Sequence, residues 1–185
     1  MDKNRRLIFI ALLVAQGVVI GLIENMIPYP FAFAPGAKLG LSNLITIIAI
    51  FTMPKKDSFT LVWMRLILTT LLGGTTSTFL YSMSGAMLSY GGMLLVKTLG
   101  PKRVSIIGIS ATGGFLHNVG QLVTASVIAG SANVMLYLPI LSFLGILSGL
   151  AIGIAANFLL VRVDTLRRFQ LDYERQSHKD HWYLN

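Results

Sequence analysis

The sequence predicts an all-α membrane protein with six transmembrane helices and both termini in the cytoplasm. Three observations predict it. The 185 residues are 54% hydrophobic and 12% charged, where a soluble domain carries about 25% charged residues. With a mean hydropathy of +0.72, the chain has too few polar groups to cover a globular surface, and bilayer is the natural solvent. Apolar runs recur at lengths close to the roughly 20 residues of a helical span. The basic residues also collect on one side of the resulting arrangement.

The first run is Leu7 to Ile23. Together with Arg5-Arg6 and Ala32-Phe33-Ala34 it resembles a signal peptide with an A-x-A cleavage site. The run is 17 residues, however, beyond the usual ~7–15, and Pro35 directly follows the would-be cut. It is therefore read as a retained span. A short second run, Leu39 to Met53, follows a Pro-Gly turn, and the third covers Phe59 to Leu72. After Gly73-Gly74-Thr75-Thr76 comes the fourth, Ser77 to Val96. The fifth is Val104 to Ala129 and the sixth Val134 to Val161. Residues 1–162 form the predicted membrane domain. The polar tail, 163–185, reads as a short cytoplasmic helix that frays.

Charge orients these spans. Lys3, Arg5 and Arg6 precede the first, and Lys55 and Lys56 lie between the second and third. Lys97, Lys102 and Arg103 follow the fourth, and Arg162, Arg167, Arg168, Arg175 and Lys179 follow the sixth. Thirteen of fifteen Lys and Arg residues thus share one side when there are six spans, as cytoplasmic loops do. The remaining two are Lys38, outside, and Arg65, within the third span. The formal charge of +8 is accounted for by this topology, and no basic domain exists to hold nucleic acid. The chain has no cysteine, which excludes disulfides, thiolate catalysis and cysteine-ligated metal.

Polar groups at depth are expensive and mark candidate sites. Arg65 lies seven residues past Ser58, about 10 Å into the membrane, and either snorkels to the cytoplasmic headgroups or joins a site. His117, Asn118 and Gln121 lie in the fifth span, with His117 roughly 21 Å beyond Arg103. Gly114, Asn118, Gln121 and Ala125 fall near one stripe, and His117 shares a face with Gln121. These groups either bond between helices or face a ligand. The first outside loop runs from Glu24 to Lys38. It carries Pro28, Pro30 and Pro35 with Tyr29, Phe31 and Phe33, and reads as a stiff apolar lid that ends at Lys38. Asn43 follows near the outer end of the second span. Small residues four apart, at Ala11/Ala15, Gly17/Gly21 and Gly145/Gly149/Gly153, allow close helix approach. The pairs on the first span could dock a partner subunit instead.

The segment Phe33-Ala34-Pro35-Gly36-Ala37-Lys38-Leu39-Gly40-Leu41-Ser42-Asn43 resembles the hallmark of the Gx transporter family. Tyr81-Ser82-Met83-Ser84-Gly85 and His117-Asn118-Val119-Gly120-Gln121 fit the same family. Its members are often labelled heptaprenyl diphosphate synthase component I and are similar to the S components of energy-coupling factor (ECF) transporters. The resemblance covers residues 7 to 162. It implies a six-span subunit of a bacterial plasma membrane that binds a vitamin-like precursor near the outer face, beneath the first external loop. It also implies a coupling module, made of a transmembrane coupling subunit and two ATPases, with Ala11 and Ala15 at the contact. No cofactor or metal is implied. The chain lacks a Gly-x-x-x-x-Gly-Lys-Ser/Thr phosphate loop.

Three functions are weighed. In the first, the chain is an S component: Lys38, Arg65 and His117 meet an anionic group, Asn43, Asn118 and Gln121 hydrogen-bond the ligand, and Tyr29, Phe31 and Phe33 cover its body. The ligand class this suggests is a small amphipathic vitamin-like or quinone/isoprenoid-pathway precursor. In the second, the chain is a non-catalytic membrane partner of a prenyl diphosphate synthase. Catalysis by this chain itself is disfavoured, because prenyl transfer needs clustered carboxylates for Mg²⁺. Before residue 164 there are only Asp2, Glu24 and Asp57. In the third, an ion-coupled carrier, a carboxylate at mid-depth is needed, and none is expected within a span.

Overall fold

A computed structural model describes residues 3–27, 38–177 and 182. It is all-helical over these residues: α1 Lys3–Met26, α2 Asn43–Thr52, α3 Lys55–Gly73, α4 Thr76–Lys97, α5 Ile106–Ala129, α6 Leu138–Arg162 and α7 Asp164–Ser177, with a 3-10 turn at Ala132–Tyr137 before α6. Local chemistry sets the ends. Thr75 and Thr78 form a reciprocal capping box at the start of α4, and Ser105 accepts from Gly108 N to cap α5. Gly130, in the left-handed region at φ 59°, closes α5. Pro139 in the first turn sets α6 to begin at Leu138 rather than at Val134.

Among the described residues, three helices are long and apolar enough to cross a membrane by length and composition: Asn4–Met26, Thr76–Lys97 and Ala132–Arg162. The apolar α2 is shorter, 10 residues, so about 15 Å long. It starts four residues after the predicted Leu39. Every α2 residue except Leu44 is buried, so it forms the centre of the bundle.

The first six helices alternate in direction. Helices α1 and α3 run parallel: Arg6 pairs with Asp57, Gly17 faces Arg65, Gly21 faces Thr69, and Asn25 Nδ2 donates to Gly73 O at 3.1 Å. Helices α4 and α5 run antiparallel, with Gly92 against Leu116 and Gly120 against Ser84 and Gly85. Along α6, Gly145, Gly149 and Gly153 meet Gly114, Ser110 and Ile107 of α5. A Cβ built on Gly114 would lie 2.0 Å from Gly145 O, so backbones touch where side chains would otherwise stand. The span-six glycines therefore pack inside the molecule, and so do Gly17 and Gly21.

The polar tail differs from the expected frayed helix. Its Leu166, Phe169, Gln170 and Glu174 are buried on one face of α7, and Phe169 stacks on Phe9 of α1 with ring centroids 3.8 Å apart. The charges on the opposite face hid this apolar stripe in the sequence.

The α5–α6 contact makes a prediction. Gly114→Leu should destabilise the protein by about 3 kcal/mol or more through overpacking. Gly91, with open space around its Cβ position, should accept Ala with a gain of up to about 1 kcal/mol. Thermal unfolding of the two variants in detergent checks both.

Candidate functional site

A small polar cavity of about 20 Å³ lies between α1, α3, α4 and α5 under the segment that leads into α2. Glu24, Lys38, Ser42, Arg65, Thr69, Ser82 and His117 line it. All of these except Lys38 are buried. Several buried polar atoms here make no hydrogen bond among the described residues: Glu24 Oε2, Arg65 Nε, Thr69 Oγ1, Ser82 Oγ and both His117 ring nitrogens. Asn43 Nδ2 behaves likewise beside His117. Buried polar groups are paired as a rule, because an unpaired one costs about 1–3 kcal/mol. So many in one place point to a site built for a molecule that supplies their partners.

Each side chain is placed by a specific feature of its helix. Arg65 is ten residues past Lys55 and eight before Gly73, hence nearer the Gly73 end by about 3 Å. Gly17 makes room for it: a Cβ there would sit 2.5 Å from Arg65 Cδ. The structure thus brings Arg65 to the same cavity as Lys38 and His117, where the sequence left it nearer the opposite end. His117 lies between Gly40 and Gly85. A Cβ on either glycine would come within 3.0 Å of the ring, and Gly40 also has φ 84°, a conformation costly for other residues. The Gly85 backbone packs beside the imidazole ring.

Glu24 is the residue that the sequence reading placed wrongly. It was assigned to the outside loop, but α1 continues to Met26 and buries Glu24 in its last turn, at 5% exposure. Burial of this carboxylate is offset by two backbone donors: Gly40 N at 2.5 Å and Leu41 N at 3.0 Å, both to Oε1. The negative charge also sits at the amino end of α2, where the helix dipole favours it. Its signal in the sequence was the unpaired acid itself, seven residues after Gly17 on an otherwise apolar helix.

Gln121 and Asn118 hold structure together. Gln121 clamps the Lys38 peptide, accepting from Lys38 N at 2.8 Å and donating to Lys38 O at 2.9 Å. Ser148 of α6 donates to Leu39 O at 3.2 Å. Segment 38–41 is therefore tied to three helices and forms a fixed strut at the end of the first loop. Asn118 donates to Leu141 O of α6 at 2.6 Å and does not line the cavity. The stripe read from the sequence divides accordingly: Gly114 and Asn118 face α6, while His117 and Gln121 face the cavity and the strut. Tyr29, Phe31 and Phe33 lie outside the described residues. Ala11 and Ala15 are exposed on α1, and Ala15 edges an apolar groove between α1, α2 and the α6–α7 junction.

Two cations and one carboxylate face the cavity, so its charge favours an anionic group. Burial pushes the Lys38 ammonium below the usual lysine range, the Glu24 carboxylate draws it back up, and the Arg65 guanidinium adds to the fall. Among the described residues, no group of three His, Cys, Asp or Glu side chains is placed to hold a metal ion.

The family model described as heptaprenyl diphosphate synthase component I matches residues 13–159. No curated protein matches. No solved structure matches either.

The clamp on Lys38 yields a prediction. Gln121→Leu removes both bonds to the strut and should cost about 1–3 kcal/mol, seen as a lower unfolding temperature in detergent. Trypsin cleavage of the Lys38–Leu39 bond should also accelerate. Unchanged melting and cleavage would show that the clamp holds nothing.

Proposed function

The chain belongs to the heptaprenyl diphosphate synthase component I family, and from that premise and the polar cavity we propose that it is the substrate-binding membrane subunit of an ECF-type importer. The observation that carries this reading is the set of buried, unpaired polar groups contributed by α1, α3, α4 and α5. Helix packing alone has no use for a carboxylate oxygen, a guanidinium nitrogen and two imidazole nitrogens left without partners. In this reading the first six helices all cross the bacterial plasma membrane, with both termini in the cytoplasm. Glu24, Lys38, Arg65 and His117 then lie toward the outer face. The ligand is a small amphipathic precursor with a compact anionic group, held by Arg65 and Lys38. Its body lies under the first loop, with Tyr29 and Phe33 as its cover. Asn43, Ser82 and Thr69 complete the hydrogen bonds, while Gln121 and Asn118 position the strut and α6. The exposed Ala11 and Ala15 meet the coupling subunit, and ATP hydrolysis belongs to two partner ATPases.

The family's description as a synthase component favours a second reading, a non-catalytic membrane partner of a prenyl diphosphate synthase. Lys38→Ala and His117→Ala separate the two. Under the importer reading, both variants lose uptake of the ligand yet still co-purify with the ATPase subunits. Under the partner reading both are dispensable. Mass spectrometry of small molecules carried through purification identifies the ligand. Recovery of neither a ligand nor ATPase subunits overturns the importer.

Charge gives a sharper test. Glu24→Gln keeps an oxygen to accept from Gly40 and Leu41 but removes the site's one negative charge. Affinity for the anionic ligand should rise roughly tenfold, about 1.4 kcal/mol. A fall in affinity means that Glu24 holds a cationic group and reverses the assignment of ligand charge.

A further inference from the structure

The charged side chains are sorted to one end of the bundle, with three exceptions. Among the described residues, all the others fall at 3–6, 55–57, 97–103 and 162–175, at the end opposite the polar cavity. The exceptions are Glu24, Lys38 and Arg65, and all three line that cavity. The connections at the cavity end add nothing to the count: residues 28–37, 74–75 and 130–137 contain no Asp, Glu, Lys, Arg or His. With His117 counted as neutral, this end of the molecule carries one net positive charge, gathered in one place.

That charge is buried and uncompensated. Arg65 is 5% exposed, and neither it nor Lys38 is ion-paired among the described residues. Glu24 commits its Oε1 to Gly40 N and Leu41 N. A charge held out of water is costly unless an opposite charge accompanies it. One negative charge closes the balance. Two would leave the buried site negative, at a similar cost with the sign reversed.

The cavity also sets the shape of the group that brings this charge. Its volume of about 20 Å³ is of the order of one water-sized group. Arg65 Nε, Thr69 Oγ1 and Ser82 Oγ surround it and have no acceptor among the described residues. A carboxylate is acceptor-only, and its two oxygens take about four hydrogen bonds. It is flat and enters a narrow gap edge-on. A phosphate ester is tetrahedral and carries about −1.5 to −2 charges at pH 7, so it is both bulkier and more charged than the site accommodates. A diphosphate exceeds the site further.

We infer that the ligand of this cavity is a monocarboxylate, seated by its carboxylate on Arg65 and Lys38, and not a phosphate or diphosphate ester. This rests on the substrate-binding reading above and narrows it to an amphiphilic acid.

Matched head groups test it. The full chain in phosphatidylcholine nanodiscs is titrated by calorimetry with octanoate, octyl phosphate and octanol, which share one hydrocarbon chain, and empty nanodiscs give the background. Octanoate should bind at least about tenfold tighter than either of the others. Lys38 is half-buried and its backbone stays clamped by Gln121, so Lys38→Gln should weaken octanoate about tenfold at an unchanged unfolding temperature. Glu24→Gln adds one unit of positive charge, and the response counts the charge on the head group. Octanoate should gain roughly tenfold and octyl phosphate more, so that the gap between them narrows. Octyl phosphate or octanol binding the parent as tightly as octanoate overturns the carboxylate assignment and leaves the importer standing. So does a folded Lys38→Gln variant that binds octanoate like the parent. Absence of saturable binding by every probe overturns the assignment as well. The importer reading falls on a separate result, the recovery of neither ATPase subunits nor a ligand on purification.

Discussion

The bond between the Glu24 carboxylate and the backbone at Gly40 and Leu41 is the interaction on which the rest of the site depends. A carboxylate in an apolar bundle must be satisfied or it is not tolerated. Here two peptide N–H groups satisfy one oxygen, and this fixes where the chain re-enters the bundle after the first loop. That entry point sets the start of α2, brings Gly40 against His117, and leaves the second carboxylate oxygen facing the cavity with Lys38 and Arg65. Non-helical backbone inside the bundle is sustainable because side chains from three helices take up its hydrogen bonds.

Much of this was legible in the sequence. The apolar runs gave the helices to within a few residues at most ends. The four-residue spacing of Gly145, Gly149 and Gly153 announced a close helix contact, and the polar residues of α5 announced buried polar contacts between elements. What was hidden depended on partners far apart in the chain. Glu24 looked like loop because two prolines follow it closely, whereas the helix persists one turn further to deliver its carboxylate to Gly40. Arg65 looked separate from Lys38 because depth was counted from one end of a helix, without the room that Gly17 makes for its side chain. Asn118 and Gln121, near neighbours on one helix, proved to face different partners, a distinction that periodicity alone blurs. The tail hid its docking stripe among charges.

Helix α1 shows how one spacing serves two purposes. Ala11/Ala15 and Gly17/Gly21 repeat the same four-residue interval, but the pairs are six residues apart, a rotation of about 240° on an α-helix. They therefore face different ways. The glycines receive Arg65 and Thr69 within the molecule, and the alanines are left on the exposed side. A motif of small residues is thus ambiguous until its angular position is known.

The glycine contacts divide the bundle into two layers. On one side, α4, α5 and α6 approach backbone to backbone and behave as a single slab. On the other, α1 and α3 run side by side, linked through Arg6–Asp57 and Asn25–Gly73. The cavity residues come from both: Glu24, Arg65 and Thr69 from the pair, Ser82 and His117 from the slab. A molecule bonded to both sets, as the importer reading has it, would act as a rivet across the seam. Under the importer reading, filling the cavity would therefore also stiffen the two layers against sliding.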